Sequence, residues 1–213
     1  MEPSAKHCTI YLVRHGETEF NVQEIIQGHT DSPLTESGKS QAKTVQEAFK
    51  NIEFSAVFAS DLLRAVHTAQ IISAERKLAV NTKKLLRERH FGKYDGRPAE
   101  EFRRENEHLF EKINSLPEEE RRKMRFGENY ESEEEVGGRT VQILREIAVT
   151  YPGQNVLVVT HGGVMRSLLI RLGYGNYNEL KGKTIGNTAY AVLESDGVDF
   201  FIKETKGIKK LTF

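Results

Sequence analysis

Two histidines stand at the ends of apolar segments that lie far apart in the sequence. Arg14 and His15 follow the run 9–13, His161 follows the run 156–160, and each histidine is followed by glycine. Both runs predict buried β-strands, and ligands bind beyond the strand ends of open α/β sheets. We therefore expect the two imidazoles to meet at one edge of a sheet, together with the guanidinium of Arg14.

A further cation is expected at the same edge. The apolar segment 57–59 predicts another strand, and Ser60-Asp61 after it has the composition of a helix N-cap. Arg64 then falls in the first helical turn. Its planar group of N–H donors matches the oxygens of phosphate, and the helix dipole adds to the attraction for an anion. A surface ion pair is the alternative for this arginine.

Two histidines and two arginines around one point predict a phosphate site. A neutral imidazole can attack phosphorus and carry the phosphoryl group, and the residues alone leave this role open to His15 or His161. The leaving oxygen needs an acid, and Glu88 follows the next predicted strand. Its carboxyl group can serve only while it holds a proton. A salt bridge with Arg87 or Arg89 is the alternative role for Glu88.

The periodicity of apolar residues predicts an α/β fold. Ser132 and Glu135 form a capping box before a helix, and Asp196-Gly197 is typical of a β-hairpin turn. The pattern predicts strands at 9–13, 57–59, 78–82, 155–160, 189–193 and 198–202, and helices at 37–50, 60–75, 132–149 and 163–172. Such alternation implies a mostly parallel sheet with helices on both faces, a three-layer α/β/α arrangement.

Residues 95–130 interrupt this alternation. The segment is rich in charged residues and has weak helical patterns at 98–112 and 117–124. We interpret it as an excursion that covers the sheet edge, within a single domain of residues 1–213. Three arginines near its end either bind a second acidic group of a substrate or form a solvated helix face: Arg121, Arg122 and Arg125.

Composition excludes several classes of protein. The formal net charge of +0 gives no electrostatic basis for nucleic-acid binding, and no apolar run is long enough for a membrane span. The chain has one cysteine, Cys8, which we expect to pack in the first strand; this fits a cytoplasmic protein. The sequence leaves open whether the chain forms homo-oligomers.

Five segments together resemble the histidine phosphatase superfamily, the phosphoglycerate mutase-like family. They occur in the family's order and extend over nearly the whole chain: LVRHGETEFN at 12–21, PLT at 33–35, SDL with the following arginine at 60–64, LRE with FG at 86–92, and THGG at 160–163. The resemblance implies a phosphoglycerate mutase-like fold and an enzyme that acts on small phosphate esters.

The resemblance also implies roles for individual residues. His15 would be the nucleophile, and Glu88 would be the proton donor and later the base for water. The phosphoryl group would be held by Arg14, Arg64 and His161, with substrate contacts from Asn21, Gln27 and Gly162. The resemblance implies that neither a metal ion nor another cofactor takes part.

The sequence favours hydrolysis over phosphoryl isomerisation. The segment 88–92 resembles the mutases, which tend to carry asparagine where this chain has Gly163 and a tryptophan beside paired arginines in the covering segment. This chain has no tryptophan, and 186–190 resembles the phosphatases. We expect a phosphomonoesterase that works through phosphohistidine. The alternatives are a 2,3-bisphosphoglycerate-dependent phosphoglycerate mutase and a non-catalytic anion-binding module, which is disfavoured because no catalytic position is replaced.

Overall fold

The computed structural model describes residues 7–212, in which six strands form one mixed sheet. The strand order is β3-β2-β4-β1-β5-β6. The first four strands in this order are parallel to one another. Strand β5 is antiparallel to both of its neighbours, β1 and β6. The strands are β1 Cys8–Arg14, β2 Ala56–Ala59, β3 Val80–Thr82, β4 Asn155–Thr160, β5 Ile185–Ser195 and β6 Phe200–Ile208. The predicted strands are all present, although the final hairpin is longer than its apolar pattern indicated.

Helices cover both faces of this sheet, which confirms the three-layer α/β/α prediction. The helices are α1 Glu19–Val22, α2 Glu36–Ala48, α3 Leu63–Ile72, α4 Ala99–Glu105, α5 Glu107–Ser115, α6 Glu118–Arg121, α7 Glu133–Thr150 and α8 Gly162–Arg171. One face buries Val45 of α2 and Ala69 of α3, and the other buries Leu144 of α7 and Leu168 of α8. The predicted capping box at Ser132 begins α7.

The strand register brings three loops to one edge. Arg14 at the end of β1 is level with Thr160 at the end of β4, and Ala59 at the end of β2 pairs with Val159. The residues that follow these strands must therefore share the same space. Gly16 has a steric function here, because a Cβ on it would lie 2.5 Å from the carbonyl oxygen of Gly38 in α2.

The start of α3 differs from the sequence prediction. The helix begins at Leu63, and its N-cap, Leu62, makes no side-chain capping bond. Asp61 instead forms two hydrogen bonds with Arg87, at 2.7 and 2.6 Å. The backbone N–H of Leu63 donates at 2.5 Å to the carboxylate of Asp31, which lies in a loop distant in the sequence. A long-range contact has replaced the expected local cap.

The covering segment, residues 95–130, forms α4, α5 and α6, in agreement with the predicted helical character. Its inner side is aromatic, in contrast to its charged composition. Phe102 is buried and its ring lies 4.8 to 6.2 Å from five other aromatic rings: Phe91, Tyr94, Phe110, Phe126 and Tyr130. This aromatic cluster fixes the covering segment to the loop that carries Glu88.

Cys8 is fully buried in β1, and burial raises the pKa of its thiol to about 11. The thiol therefore stays protonated and packs as an apolar group, as predicted. Within residues 7–212, none of the helices combines the length and the apolar character that crossing a bilayer requires.

Phe102→Ala is expected to lower the free energy of unfolding by about 3–5 kcal/mol, because it leaves a cavity in the aromatic cluster. Urea denaturation measures this value. The matched control is Phe201→Ala in β6, whose ring is 50% exposed and whose loss should cost about 0.5 kcal/mol or less. Equal losses in the two variants would show that the aromatic cluster does not hold the covering segment.

Candidate active site

Two buried imidazoles face each other beyond the ends of β1 and β4. The ring centroids of His15 and His161 are 5.2 Å apart. The Nδ1 atom of His15 lies 2.7 Å from the carbonyl oxygen of Gly16. A carbonyl only accepts hydrogen bonds, so Nδ1 must carry the proton and Nε2 keeps its lone pair. Neither ring nitrogen of His161 has a partner among residues 7–212.

Both histidines are held in the neutral state. Burial lowers the pKa of His15 well below its usual value of 6.5, and the charges of Arg64 and Arg14 lower it further. The pKa of His161 is also well below that value, for the same main reason and because Arg64 is near. A neutral His15 with a free Nε2 is chemically a nucleophile at pH 7.

Two guanidinium groups offer one N–H each to this space. The Nε atoms of Arg14 and Arg64 are buried and have no partner among the described residues. Burial lowers the pKa of each group below its ordinary value, and the nearby carboxylate of Glu88 acts in the opposite direction. Unpaired donors beside two neutral imidazoles form a site suited to an oxyanion.

The remaining nitrogens of Arg64 are bound to the loop before α2. They donate to the carbonyls of Gly28 and Thr30 and to the carboxylate of Asp31, at 2.6 to 2.8 Å. Most of the N–H donors of Arg64 therefore fix its position, and its Nε–H is the donor left for the predicted phosphate. Asp31 also accepts the backbone N–H groups of Leu63 and Arg64 at the start of α3.

The carboxylate of Glu88 is oriented by two backbone N–H groups. Arg89 donates to Oε1 at 2.8 Å, and Gly163 donates to Oε2 at 3.1 Å. The second bond places Glu88 at the start of α8, next to the turn that carries His161. The predicted alternative, a salt bridge to Arg87 or Arg89, is not found, because these arginines pair with Asp61 and Glu133.

Two residues outside the predicted site hold the backbone at Glu88. His29 lies 2.9 Å from the carbonyl oxygen of Glu88, and Arg139 donates to the same oxygen at 3.1 Å. Arg139 also binds Glu131, which receives the N–H of His90. No sequence motif predicts the contacts of His29 and Arg139 with Glu88, since these residues lie 59 and 51 positions from it.

The loops enclose two cavities that share Arg14, Lys183 and Ile185. Asn21 lines the first, of about 390 Å³, and its side-chain oxygen accepts hydrogen bonds from Asn187 and from the backbone of Thr18. Gln27 is buried in the loop that binds Arg64. Gln27 is not among the described residues that line the two cavities.

The second space, called the aromatic cavity here, has a volume of about 280 Å³ and contains Glu88 and Gly162 in its lining. A Cβ on Gly162 would lie 3.2 Å from Nε of Arg14, so this glycine leaves that donor accessible. The three arginines near the end of the covering segment have other contacts: Arg121 contacts the ring of Tyr177, Arg122 lines a separate pocket, and Arg125 pairs with Glu135. None of the three lines the aromatic cavity.

Comparison with known proteins agrees with this geometry. The model of the histidine phosphatase superfamily (branch 1) matches residues 10–206. This chain belongs to that superfamily. It is 38% identical over 167 residues to phosphoglycerate mutase-like protein 4 of Arabidopsis thaliana, with 78% of this chain and 71% of that protein aligned. The uncharacterized phosphatase PhoE of Bacillus subtilis is 31% identical, with 87% of each chain aligned.

The solved structures lead to the same family. YhfR of Bacillus stearothermophilus superposes with a TM-score of 0.82 at 29% identity, covering 94% of this chain and 97% of that one. A phosphoglycerate mutase from Bacillus anthracis superposes with a TM-score of 0.83 at 25% identity, covering 98% of this chain and 96% of that one. The phosphoglycerate mutase-like fold and membership of an enzyme family are thereby confirmed.

Gly163→Ala is expected to displace the carboxylate of Glu88, because the new Cβ would lie 2.4 Å from Oε1. A crystal structure of the variant should show that Glu88 has lost its hydrogen bond to the N–H of residue 163. The matched control is Gly138→Ala in α7, whose Cβ would meet no atom within 4 Å. Glu88 unmoved by Gly163→Ala would show that the glycine is not what leaves room for it.

Proposed function

We propose that this protein is a phosphomonoesterase that hydrolyses a small phosphorylated metabolite through a phosphohistidine on His15. The hydrogen bond from His15 Nδ1 to the carbonyl of Gly16 carries this proposal, because it leaves Nε2 as the free lone pair. His161 has no comparable bond to fix its tautomer. The residue roles implied by the family resemblance therefore agree with the local geometry.

The proposed reaction has two steps. In the first, Nε2 of His15 attacks phosphorus, the bond between phosphorus and the alcohol oxygen breaks, and the Glu88 carboxyl gives its proton to that oxygen. In the second, Glu88 takes a proton from water, whose oxygen attacks phosphorus and breaks the P–N bond. Inorganic phosphate leaves, and both side chains return to their initial protonation states.

The other groups stabilise charge on the phosphoryl oxygens during transfer. The free Nε–H groups of Arg14 and Arg64 are donors held in place before the substrate arrives. His161 adds a further ring nitrogen, and Asn21 contributes a polar side chain from the first cavity. We assign Gln27 to the support of the Arg64 loop, and Gly162 to keeping Arg14 accessible. The reaction as written requires no metal or other cofactor.

Hydrolysis is favoured over a mutase reaction by the lining of the cavity. A bisphosphoglycerate-dependent mutase must hold a doubly phosphorylated intermediate while it reorients, and it must exclude water. Arg121, Arg122 and Arg125 were the candidates for holding a second phosphate, and they do not line the aromatic cavity. The relatives carry both kinds of name, so identity alone favours neither reaction.

We place the activity in the cytoplasm, within one domain that comprises the whole chain. The lone cysteine supports this location, since Cys8 is a free buried thiol. The neutral net charge and the deep, closed position of His15 support a small-molecule partner rather than a nucleic acid.

His15→Ala is expected to abolish phosphoenzyme formation, because it removes the attacking nitrogen. Rapid quenching with labelled substrate should trap an acid-labile, base-stable phosphoryl group on the natural protein and none on the variant. His67→Ala is the matched control, since His67 lies in α3 away from both cavities. Label retained on the His15→Ala protein would move the nucleophile elsewhere.

Glu88→Gln is expected to lower kcat by about 10²–10⁴-fold for alkyl phosphates, since glutamine cannot protonate the leaving oxygen. For para-nitrophenyl phosphate the loss should be much smaller, because nitrophenolate leaves without a proton. Steady-state kinetics on the two substrate classes measures the difference. Equal losses on both classes would remove Glu88 from the role of acid.

Phosphate release from 3-phosphoglycerate is expected to exceed its conversion to 2-phosphoglycerate. The assay follows both products with and without added 2,3-bisphosphoglycerate. Arg121, Arg122 and Arg125 do not line the aromatic cavity and so cannot hold a second phosphate there, and the bisphosphate should not stimulate isomerisation. Isomerisation faster than hydrolysis, and stimulated by the bisphosphate, would establish the mutase instead.

A further inference from the structure

The aromatic cavity extends from the proposed phosphate site toward the covering segment. Six aromatic rings from separate parts of the chain contribute to its lining: Phe91, Phe102, Phe110, Phe126, Tyr130 and Tyr177. Glu88, the group nearest the expected leaving oxygen, lies in the same lining. Arg14 and Glu88 belong both to the proposed phosphate site and to this lining, so the cavity adjoins the position expected for the alcohol part of the ester.

Several of these rings are only half covered by protein. Phe91, Phe110 and Tyr177 are of intermediate exposure, whereas Phe102, Phe126 and Tyr130 are buried. Half-covered aromatic faces that line a concave cavity are typical of sites that bury an apolar ligand group. Tyr177 is also held in position, with the guanidinium carbons of Arg121 and Arg166 at 5.3 and 5.9 Å from its ring centre.

The cations of the cavity, apart from Arg14, already have carboxylate partners. Arg89 and Arg166 both bind Glu133, at 2.7 and 2.5 Å, and Lys183 binds Glu24. The pKa of Glu133 is lowered to about 2, chiefly by these arginines against the effect of burial, so it is ionised at neutral pH. A second phosphate carries a charge of about −1.5 to −2 and would compete with these carboxylates.

The cavity also has two N–H donors that could bind a single polar atom of a ligand. The Nε atoms of Arg89 and Arg166 are buried without partners among the described residues, and both side chains line the cavity. They offer N–H donors to an oxygen or nitrogen atom that a bound apolar group carries. Two guanidiniums and one carboxylate sum to a single positive charge, which suits one acceptor atom better than a second phosphate.

We infer that the substrate is a monoester with one phosphoryl group on a bulky apolar or aromatic alcohol, and that the rings of the aromatic cavity select it. This inference rests on the proposed hydrolysis at His15. Phe110 and Tyr177 are the specificity-determining residues, because their rings are partly uncovered and contribute to the space that the alcohol fills.

The test compares kcat/KM for ethyl, butyl and hexyl phosphate, whose alcohols have nearly the same acidity, so that only burial changes. Each added methylene should raise kcat/KM by up to about fourfold until the cavity is full. Hexyl phosphate should exceed 3-phosphoglycerate and a hexose bisphosphate by at least about tenfold. No dependence on chain length, or a preference for the bisphosphate, would overturn the inference and leave the hydrolysis intact.

Alanine variants of two lining residues test whether the aromatic cavity causes the dependence on chain length. Phe110→Ala and Tyr177→Ala should each lower kcat/KM for hexyl phosphate by about tenfold while that for ethyl phosphate changes less than about twofold. Phe110→Leu should restore the dependence on chain length, and Phe201→Ala, at a ring outside both cavities, should leave it unchanged. Unaltered dependence in both lining variants would overturn the inference. Failure to hydrolyse any ester, with no phosphoenzyme, would instead overturn the proposed function.

Discussion

The burial of charge beside two neutral imidazoles is the constraint on which this structure depends. Arg64 is almost fully buried, and burial is the main cause of the lowered pKa of Arg14, Arg64 and both histidines. Removing a cation from water costs several kcal/mol unless partners compensate. Asp31 supplies opposite charge to Arg64, and the carbonyls of Gly28 and Thr30 accept its hydrogen bonds. What remains uncompensated is a small set of N–H donors, which an oxyanion would satisfy.

This arrangement makes the surrounding backbone part of the site. The loop that binds Arg64 also caps α3 through Asp31, so the arginine and its helix are positioned by one carboxylate. Gly163 leaves space for Glu88 and donates its N–H to it, so Glu88 and the turn at His161 are positioned together. A change in one loop therefore moves groups that belong to two others.

The sequence predicts the parts of this design that are local. The apolar runs before His15 and His161 identify two parallel strands, and parallel strands have their carboxyl ends on one side. The capping box at Ser132 depends on residues three apart, and the structure contains it. The predicted N-cap at Ser60-Asp61 differs from the structure because Asp61 pairs with Arg87, and the distant Asp31 accepts the N–H of Leu63 at the start of α3.

The sequence could not predict the interior of the covering segment. Its composition is dominated by charged residues. Its aromatic residues are spaced irregularly in the sequence and come together only in the folded arrangement of three short helices. The shared partner of Arg89 and Arg166 could not be predicted for the same reason, since Glu133 lies in the first turn of another helix. The lining of the aromatic cavity depends on such long-range contacts, whereas the positions of His15 and His161 depend mainly on strand ends.

A crystal structure with orthovanadate tests the central claim most directly, because vanadate adopts the geometry of a phosphoryl group in transfer. The account predicts vanadium bonded to Nε2 of His15, with its oxygens within hydrogen-bond distance of Nε of Arg14, Nε of Arg64 and a ring nitrogen of His161. Vanadium bonded to His161, or an oxyanion bound out of reach of His15, would contradict it.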